Sequence, residues 1–250
     1  MNKTVFITGA TSGIGKACAE KFAQNSFNII ITGRREAFLK KVKEEIENKY
    51  KVQVTSLCFD VQNKEQVFNA IDTLPQNILI DILINNAGLA LGRDAFDEAD
   101  ITDWETMMST NVNGLLYVSR ALLPFIKKTE GHIINLGSIA GKEVYENGNV
   151  YCASKFAVDA ISQSMRIDLL KHNIKVTSIN PGAVETEFSI VRFKGDEAKA
   201  EAAYKNYTPL TANDIAETIF YCASLPSHVC INDLTITCLQ QANTSLFNKK

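Results

Sequence analysis

Short apolar runs rich in β-branched residues recur along the chain, and amphipathic stretches separate them. The runs TVFIT (4–8), NIIIT (28–32), VQVTSLCF (52–59), DILIN (81–85), HIINLGS (132–138), IKVTSIN (174–180) and DLTIT (233–237) predict seven strands. Between them, apolar positions at helical spacing predict helices over 14–24, 35–50, 64–74, 104–128, 151–172 and 213–225. Near-continuous apolar strands that alternate with helices belong to a parallel sheet covered on both faces. Right-handed crossovers then give a doubly wound α/β fold with seven mostly parallel strands. Three irregular stretches, 89–103, 139–149 and 183–210, follow the carboxyl ends of the fourth, fifth and sixth strands. Ligands bind at those ends in sheets of this kind.

The 250 residues suit one domain over 1–250. The segment after the sixth strand, about 183–210, is expected to form a substrate lid. A net charge of 26 − 28 = −2 argues against a nucleic-acid or acidic-membrane partner, either of which wants a basic excess. No apolar run reaches the roughly 20 residues of a membrane span. The first strand begins almost at Met1, too short an apolar stretch for a signal-peptide core, so the expected location is the cytoplasm. The six cysteines form no C-x-x-C and read as reduced, mostly buried thiols; nothing places a base beside Cys152.

Two local patterns carry chemistry. TGATSGIG (8–15) joins the first strand to the first helix. Gly9 allows the tight turn, Gly13 lets backbone approach a pyrophosphate, and Gly15 lets helix pack on sheet. Thr11, Ser12 and Ile14 complete the expected phosphate-binding turn at a helix N-terminus. Farther on, Tyr151 and Lys155 stand at i, i+4, one face of a helix. An ammonium beside a phenol favours the phenolate and is expected to lower its pKa from about 10.

TGATSGIG, NNAG (85–88), Asn111, Ser138, YCASK (151–155) and PGAVET (181–186) occur in order across most of the chain. Together they resemble the short-chain dehydrogenase/reductase family. The resemblance implies a single Rossmann-type domain, a nicotinamide dinucleotide and hydride transfer at an alcohol or carbonyl carbon. It makes Tyr151 the acid/base, with Lys155 assisting it and binding the nicotinamide ribose. Ser138 donates to the substrate oxygen, and Asn111 holds a water through its backbone. Asp60 and Val61 resemble the adenine-binding pair; Asn86, Ala87 and Gly88 are expected along the adenosine half. Backbone at Pro181, Gly182 and Val184, with the Thr186 hydroxyl, is expected to fix the carboxamide.

The second strand ends ITGRRE, with Gly33 where a ribose-binding acid would sit and Arg34 and Arg35 after it. Guanidiniums pair with a 2′-phosphate, so the expected cofactor is NADP. NNAGLALG, DWETM, GHIINLGS, GNVYCASK and VRFKGDEAKAE further resemble the NADP-dependent 3-hydroxy acid dehydrogenases, which act on serine, allo-threonine and related acids. That resemblance implies a short hydroxy acid as substrate, and the family implies a homotetramer. For the substrate carboxylate, Arg192 is the first choice; Lys194, Lys142 and backbone near Gly148 are the alternatives. The rival readings are a carbonyl or 3-oxoacyl reductase on the same scaffold, and a non-catalytic NADP-binding redox sensor.

Overall fold

The computed structural model describes residues 2–249. Seven strands form one parallel sheet: β1 Thr4–Ile7, β2 Asn28–Gly33, β3 Val54–Cys58, β4 Ile82–Asn85, β5 His132–Leu136, β6 Lys175–Pro181 and, last in the chain, β9 Asp233–Ile236. A separate two-stranded pair, β7 Val184–Glu185 and β8 Leu210–Thr211, lies in the stretch that the apolar pattern leaves irregular. The sheet order is β3-β2-β1-β4-β5-β6-β9, so strand order reverses between β1 and β4. That reversal opens a crevice at the carboxyl ends of the strands.

Successive residues of each strand face opposite sides, and both sides are covered. Val5 and Ile7 of β1 join Ile29, Ile31, Ile134 and Ile179 in one apolar cluster. Helices α1 (Gly13–Gln24), α2 (Glu36–Tyr50) and α9 (Ala212–Ser224) close it through Phe22, Leu39, Val42 and Ile219. Phe6, between Val5 and Ile7, points the other way with Ile30, Leu83 and Val176. On that side α3 (Lys64–Asp72), α5 (Leu115–Thr129) and α6 (Asn149–Asp168) supply Val67, Leu122 and Met165. Each fully buried side chain of this size contributes roughly 1.5–3 kcal/mol.

The apolar pattern misplaces one long element. Instead of a single helix over 104–128, α4 (Ile101–Met108) starts earlier, where the Asp100 carboxylate accepts the Thr102 N–H at 2.8 Å. A π turn, Ser109–Gly114, then separates α4 from α5. The expected helix over 151–172 is α6 followed by a 3₁₀ turn, Leu170–His172. Two short helices, α7 (Phe188–Arg192) and α8 (Glu197–Ala202), lie between β7 and β8.

At the amino end of the sheet, His132 opens β5 and is buried. Its Nε2 lies 2.7 Å from Thr177 Oγ1, while Thr177 Oγ1 donates to the Ile231 carbonyl at 2.6 Å. Nδ1 is buried and has no partner. Burial, with help from the charge of Lys175, pulls its pKa down to about 3.

Candidate active site

The crevice beside the strand reversal is a cleft of about 1390 Å³. It begins at the turn between β1 and α1. Gly9 has φ +66°, and its Cβ would fall 2.9 Å from Ala87 Cα. A Cβ on Gly15 would clash with the Gly9 carbonyl. These positions therefore exclude side chains. Asn86 holds the turn from the next strand over, donating Nδ2 to the carbonyls of Thr8 and Gly9 at 2.8 and 3.1 Å. Ser12 sits at the N-cap of α1 but makes no side-chain cap, so the first N–H groups of the helix lack a side-chain acceptor from it. An uncapped helix end beside a side-chain-free turn fits a pyrophosphate.

The end of β2 fits a phosphorylated ribose better than a free one. A Cβ at Gly33 would lie 2.8 Å from Thr11 Cγ2, so a carboxylate side chain there would have to displace the Thr11 methyl. Arg34 and Arg35 line the cleft. Arg34 is 3.5 Å from Asp60, whose Oδ1 accepts the Gln62 N–H at 3.0 Å. Arg35 lies against Thr11, Ser12 and Glu187. Val61, Ala87, Gly88, Pro181, Gly182, Val184 and Thr186 line the same cleft, as do Thr11, Gly13 and Ile14. Gly15 lies behind it, packing helix on turn.

Ser138, Tyr151 and Lys155 converge on the cleft wall, and all three are buried. Ser138 follows β5, with its Oγ accepting the Ala140 N–H at 3.1 Å. Tyr151 and Lys155 project from the first turns of α6. Lys155 Nζ lies 6.0 Å from the Tyr151 ring centroid and donates to the Leu136 carbonyl at 2.9 Å. Burial lowers the Lys155 pKa to about 8.

Tyr151 departs from the expected downward shift. Burial pushes its pKa up, and the neighbouring Tyr145 adds to that; a hydrogen bond with Ser138 and the charge of Arg192 pull the other way. In this conformation the ammonium of Lys155 donates to a carbonyl, and the charge that lowers the Tyr151 pKa is that of Arg192, 5.4 Å from its ring.

Asn111 lies outside the cleft, in the π turn. Its side chain is fully engaged: Oδ1 accepts the Leu89 N–H at 2.8 Å, and Nδ2 donates to the Leu89 carbonyl and to Ser154 Oγ at 2.8 and 3.0 Å. π turns concentrate at functional sites. This one ties the loop after β4 to α6.

Of the three expected acid-binding side chains, Arg192 is the one without a carboxylate partner among the described residues. Lys142 is bound to Asp159 and Asp233 at 2.7 and 2.6 Å, and Lys194 to Asp103 at 2.8 Å. Arg192 donates Nη2 to Tyr145 Oη at 2.7 Å, while its Nε is buried without a partner. Its carbonyl accepts the Gly92 N–H at 2.9 Å, joining α7 to the loop after β4. Tyr145, Phe188 and Glu187 all line the cleft and went unnoticed in the sequence. The one available signal was an aromatic residue in the polar 139–149 loop. Cys152 is buried and its thiol pKa is pushed up, first by burial.

A glycine turn at a strand reversal, joined to a buried Ser-Tyr-Lys set, defines an oxidoreductase of the dinucleotide-binding α/β class. The chain belongs to the short chain dehydrogenase family, whose model matches residues 3–197. It is 44% identical to an NADP-dependent 3-hydroxy acid dehydrogenase of Escherichia coli strain K12, across 97% of each chain. It is 43% identical to sulfoacetaldehyde reductase 2 of Chromohalobacter salexigens, over 97% of this chain and 96% of that one. Among solved structures, the closed form of a serine dehydrogenase complexed with NADP⁺ superposes with a TM-score of 0.91 at 42% identity, covering 99% of both chains. Among the described residues, no helix is long and apolar enough to cross a membrane.

Proposed function

We propose that this protein is an NADP-dependent oxidoreductase that interconverts the hydroxyl and carbonyl forms of a short acid, with 3-hydroxy acids such as serine or allo-threonine as substrates. The observation that carries the reading is Arg192, held 5.4 Å from the ring of the buried Tyr151 with its Nε unpartnered. A guanidinium so placed anchors an acid group while the hydroxyl faces the phenol. The relatives named for 3-hydroxy acids, for serine and for NADP support it.

Bound NADP supplies the hydride acceptor in oxidation and the donor in reduction. Tyr151 Oη takes the hydroxyl proton in oxidation and returns it in reduction. Ser138 Oγ donates to the substrate oxygen as charge develops on it. Lys155, once turned from the Leu136 carbonyl, holds the phenolate through its charge and binds the nicotinamide ribose. Asn111 fixes the π turn whose backbone positions a water behind Lys155. The uncapped end of α1 holds the pyrophosphate, and Arg34 and Arg35 hold the 2′-phosphate.

The stretch over about 183–210 acts as the substrate lid of a single 1–250 domain. Its ion pairs to the body are Lys194–Asp103, with the lysine exposed and the aspartate buried, and the half-exposed Arg35–Glu187. A homotetramer in the cytoplasm completes the reading. Exposed apolar residues Leu116 of α5 and Phe156 and Ile167 of α6 supply apolar surface for its interfaces.

A second reading has the same site reducing an aldehyde with a sulfonate tail, since a guanidinium fork accepts sulfonate as readily as carboxylate. The sulfoacetaldehyde reductase relative favours it. Steady-state assays with L-serine, L-allo-threonine, 3-hydroxyisobutyrate, sulfoacetaldehyde and an acyl thioester, each with both nicotinamide cofactors, separate the readings. We expect turnover of the hydroxy acids with NADP⁺; turnover of the thioester alone, or none with any substrate, rejects it.

A further inference from the structure

Arg35 is one of the two guanidiniums read as holding the 2′-phosphate, and one edge of its fork is already occupied. Its Nη2 donates to Thr11 Oγ1 at 2.8 Å, to Ser12 Oγ at 3.0 Å and to Glu187 Oε2 at 3.0 Å. The chain therefore presents a carboxylate of its own to the group that must bind an incoming anion. Glu187 comes from far along the sequence, directly after Thr186, whose Cβ lies 3.3 Å from where a Cβ on Gly13 would sit. This contact folds the start of the 183–210 stretch onto the glycine-rich turn. Arg35 and Glu187 both line the cleft and are about half exposed, so the pair faces the bound cofactor's space.

We propose that Glu187 is a built-in occupant of the 2′-phosphate site, which the phosphate must displace from Arg35, so that Glu187 sets how strongly the chain prefers NADP over NAD. The inference rests on the NADP reading above. A phosphate monoester carries about −1.5 to −2 charge and three acceptor oxygens against the single charge of Glu187. It therefore wins Arg35, and the displaced carboxylate cannot remain beside it without like-charge repulsion. NAD lacks the phosphate and leaves the pair in place. Glu187 thus opposes NADP alone.

The two dinucleotides differ only in that phosphate, so binding titrations of each test the idea without turnover. Glu187→Gln and Glu187→Ala are expected to bind NADP⁺ about three- to fivefold more tightly than wild type, the scale of an exposed ion pair. NAD⁺ affinity is expected to stay within about twofold. Arg35→Ala serves as the reference for losing the phosphate contact. Unchanged NADP⁺ affinity in both Glu187 variants, while Arg35→Ala weakens it, overturns the role of Glu187 and leaves the cofactor reading intact. Equal tightening of NADP⁺ and NAD⁺ also overturns it, since Glu187 would then repel any dinucleotide. Wild type binding NAD⁺ as tightly as NADP⁺, with no effect of Arg35→Ala, rejects the cofactor reading itself.

Discussion

The two ends of β5 bury polar groups for opposite outcomes. At the amino end His132 is enclosed with one ring nitrogen unpartnered, and burial keeps it neutral. At the carboxyl end, beyond Leu136, lie Ser138, Tyr151 and Lys155, also enclosed, with Arg192 Nε unpartnered above them. At the amino end the orphan atom only costs stability. At the carboxyl end the same kind of cost leaves groups ready for a ligand. The difference lies in what each end faces: closed packing against Thr177 and Ile231 in one case, an open cleft in the other.

Four measurements sharpen or break that contrast, the largest effect first. Tyr151→Phe should lower kcat/KM about 10³-fold or more by removing the proton carrier. Its melting temperature should hardly move, because the ring and its packing remain. A residual rate near wild type would remove Tyr151 from the chemistry.

Lys155→Met should lower kcat/KM about 10²-fold and yet stabilise the fold. The Lys155 pKa is about 8 in the fold, below its ordinary value, so the charged form is disfavoured there throughout neutral pH. That penalty is roughly 3 kcal/mol below pH 8 and fades as pH rises toward the unfolded value. Urea unfolding at pH 7 should show a gain of roughly 2 kcal/mol, shrinking by pH 10. A loss of stability at pH 7 would mean that the Leu136 hydrogen bond outweighs burial.

Arg192→Ala should raise KM for a 3-hydroxy acid roughly 10- to 30-fold, the worth of a charge-assisted hydrogen bond. Uncharged alcohols should be spared. Equal effects on both would assign Arg192 to shaping Tyr145 and Tyr151 instead of holding the acid.

The amino end bears on stability alone, and only in acid. The pKa of His132, about 3 in the fold, lies below its unfolded value near 6.5. Its neutral form therefore stabilises the fold fully above pH 6.5, and that stability drains away as pH falls toward 3. At pH 5 the loss should be about 2 kcal/mol relative to pH 7. In His132→Gln this part of the acid dependence should vanish from urea titrations. An identical slope would place the acid sensitivity elsewhere.

Most of this frame was legible in the sequence because it rests on local periodicity. Ile29, Ile30 and Ile31 are all buried in β2, which is why the run reads as a strand covered on both faces. Gly9, Ser138, Tyr151 and Lys155 were legible because turn geometry and helix spacing restrict residue type. What escaped was set by tertiary contact. The π turn has no composition of its own; it is fixed by Asn111 reaching Leu89 and Ser154. Glu187 reads as an ordinary acid until the fold brings it to Arg35, 152 residues away in sequence. The downward shift expected for Tyr151 assumed a lysine aimed at the phenol, and spacing cannot report the Leu136 carbonyl that turns it aside.

The π turn also sets an angular offset along one continuous helical rod. Each residue of an α-helix advances the side-chain direction by roughly 100°, and a wider turn interrupts that count. It lets α4 turn Met107 toward the cleft wall beside Tyr151, while α5 keeps Val118, Leu122 and Ile126 on the sheet. Removing one residue between Ser109 and Gly114 would restore a regular helix and rotate one half against the other. Either the core face of α5 or the grip of Asn111 would then be lost. The surplus residue works as a clutch between the part of the rod that builds the fold and the part that builds the site.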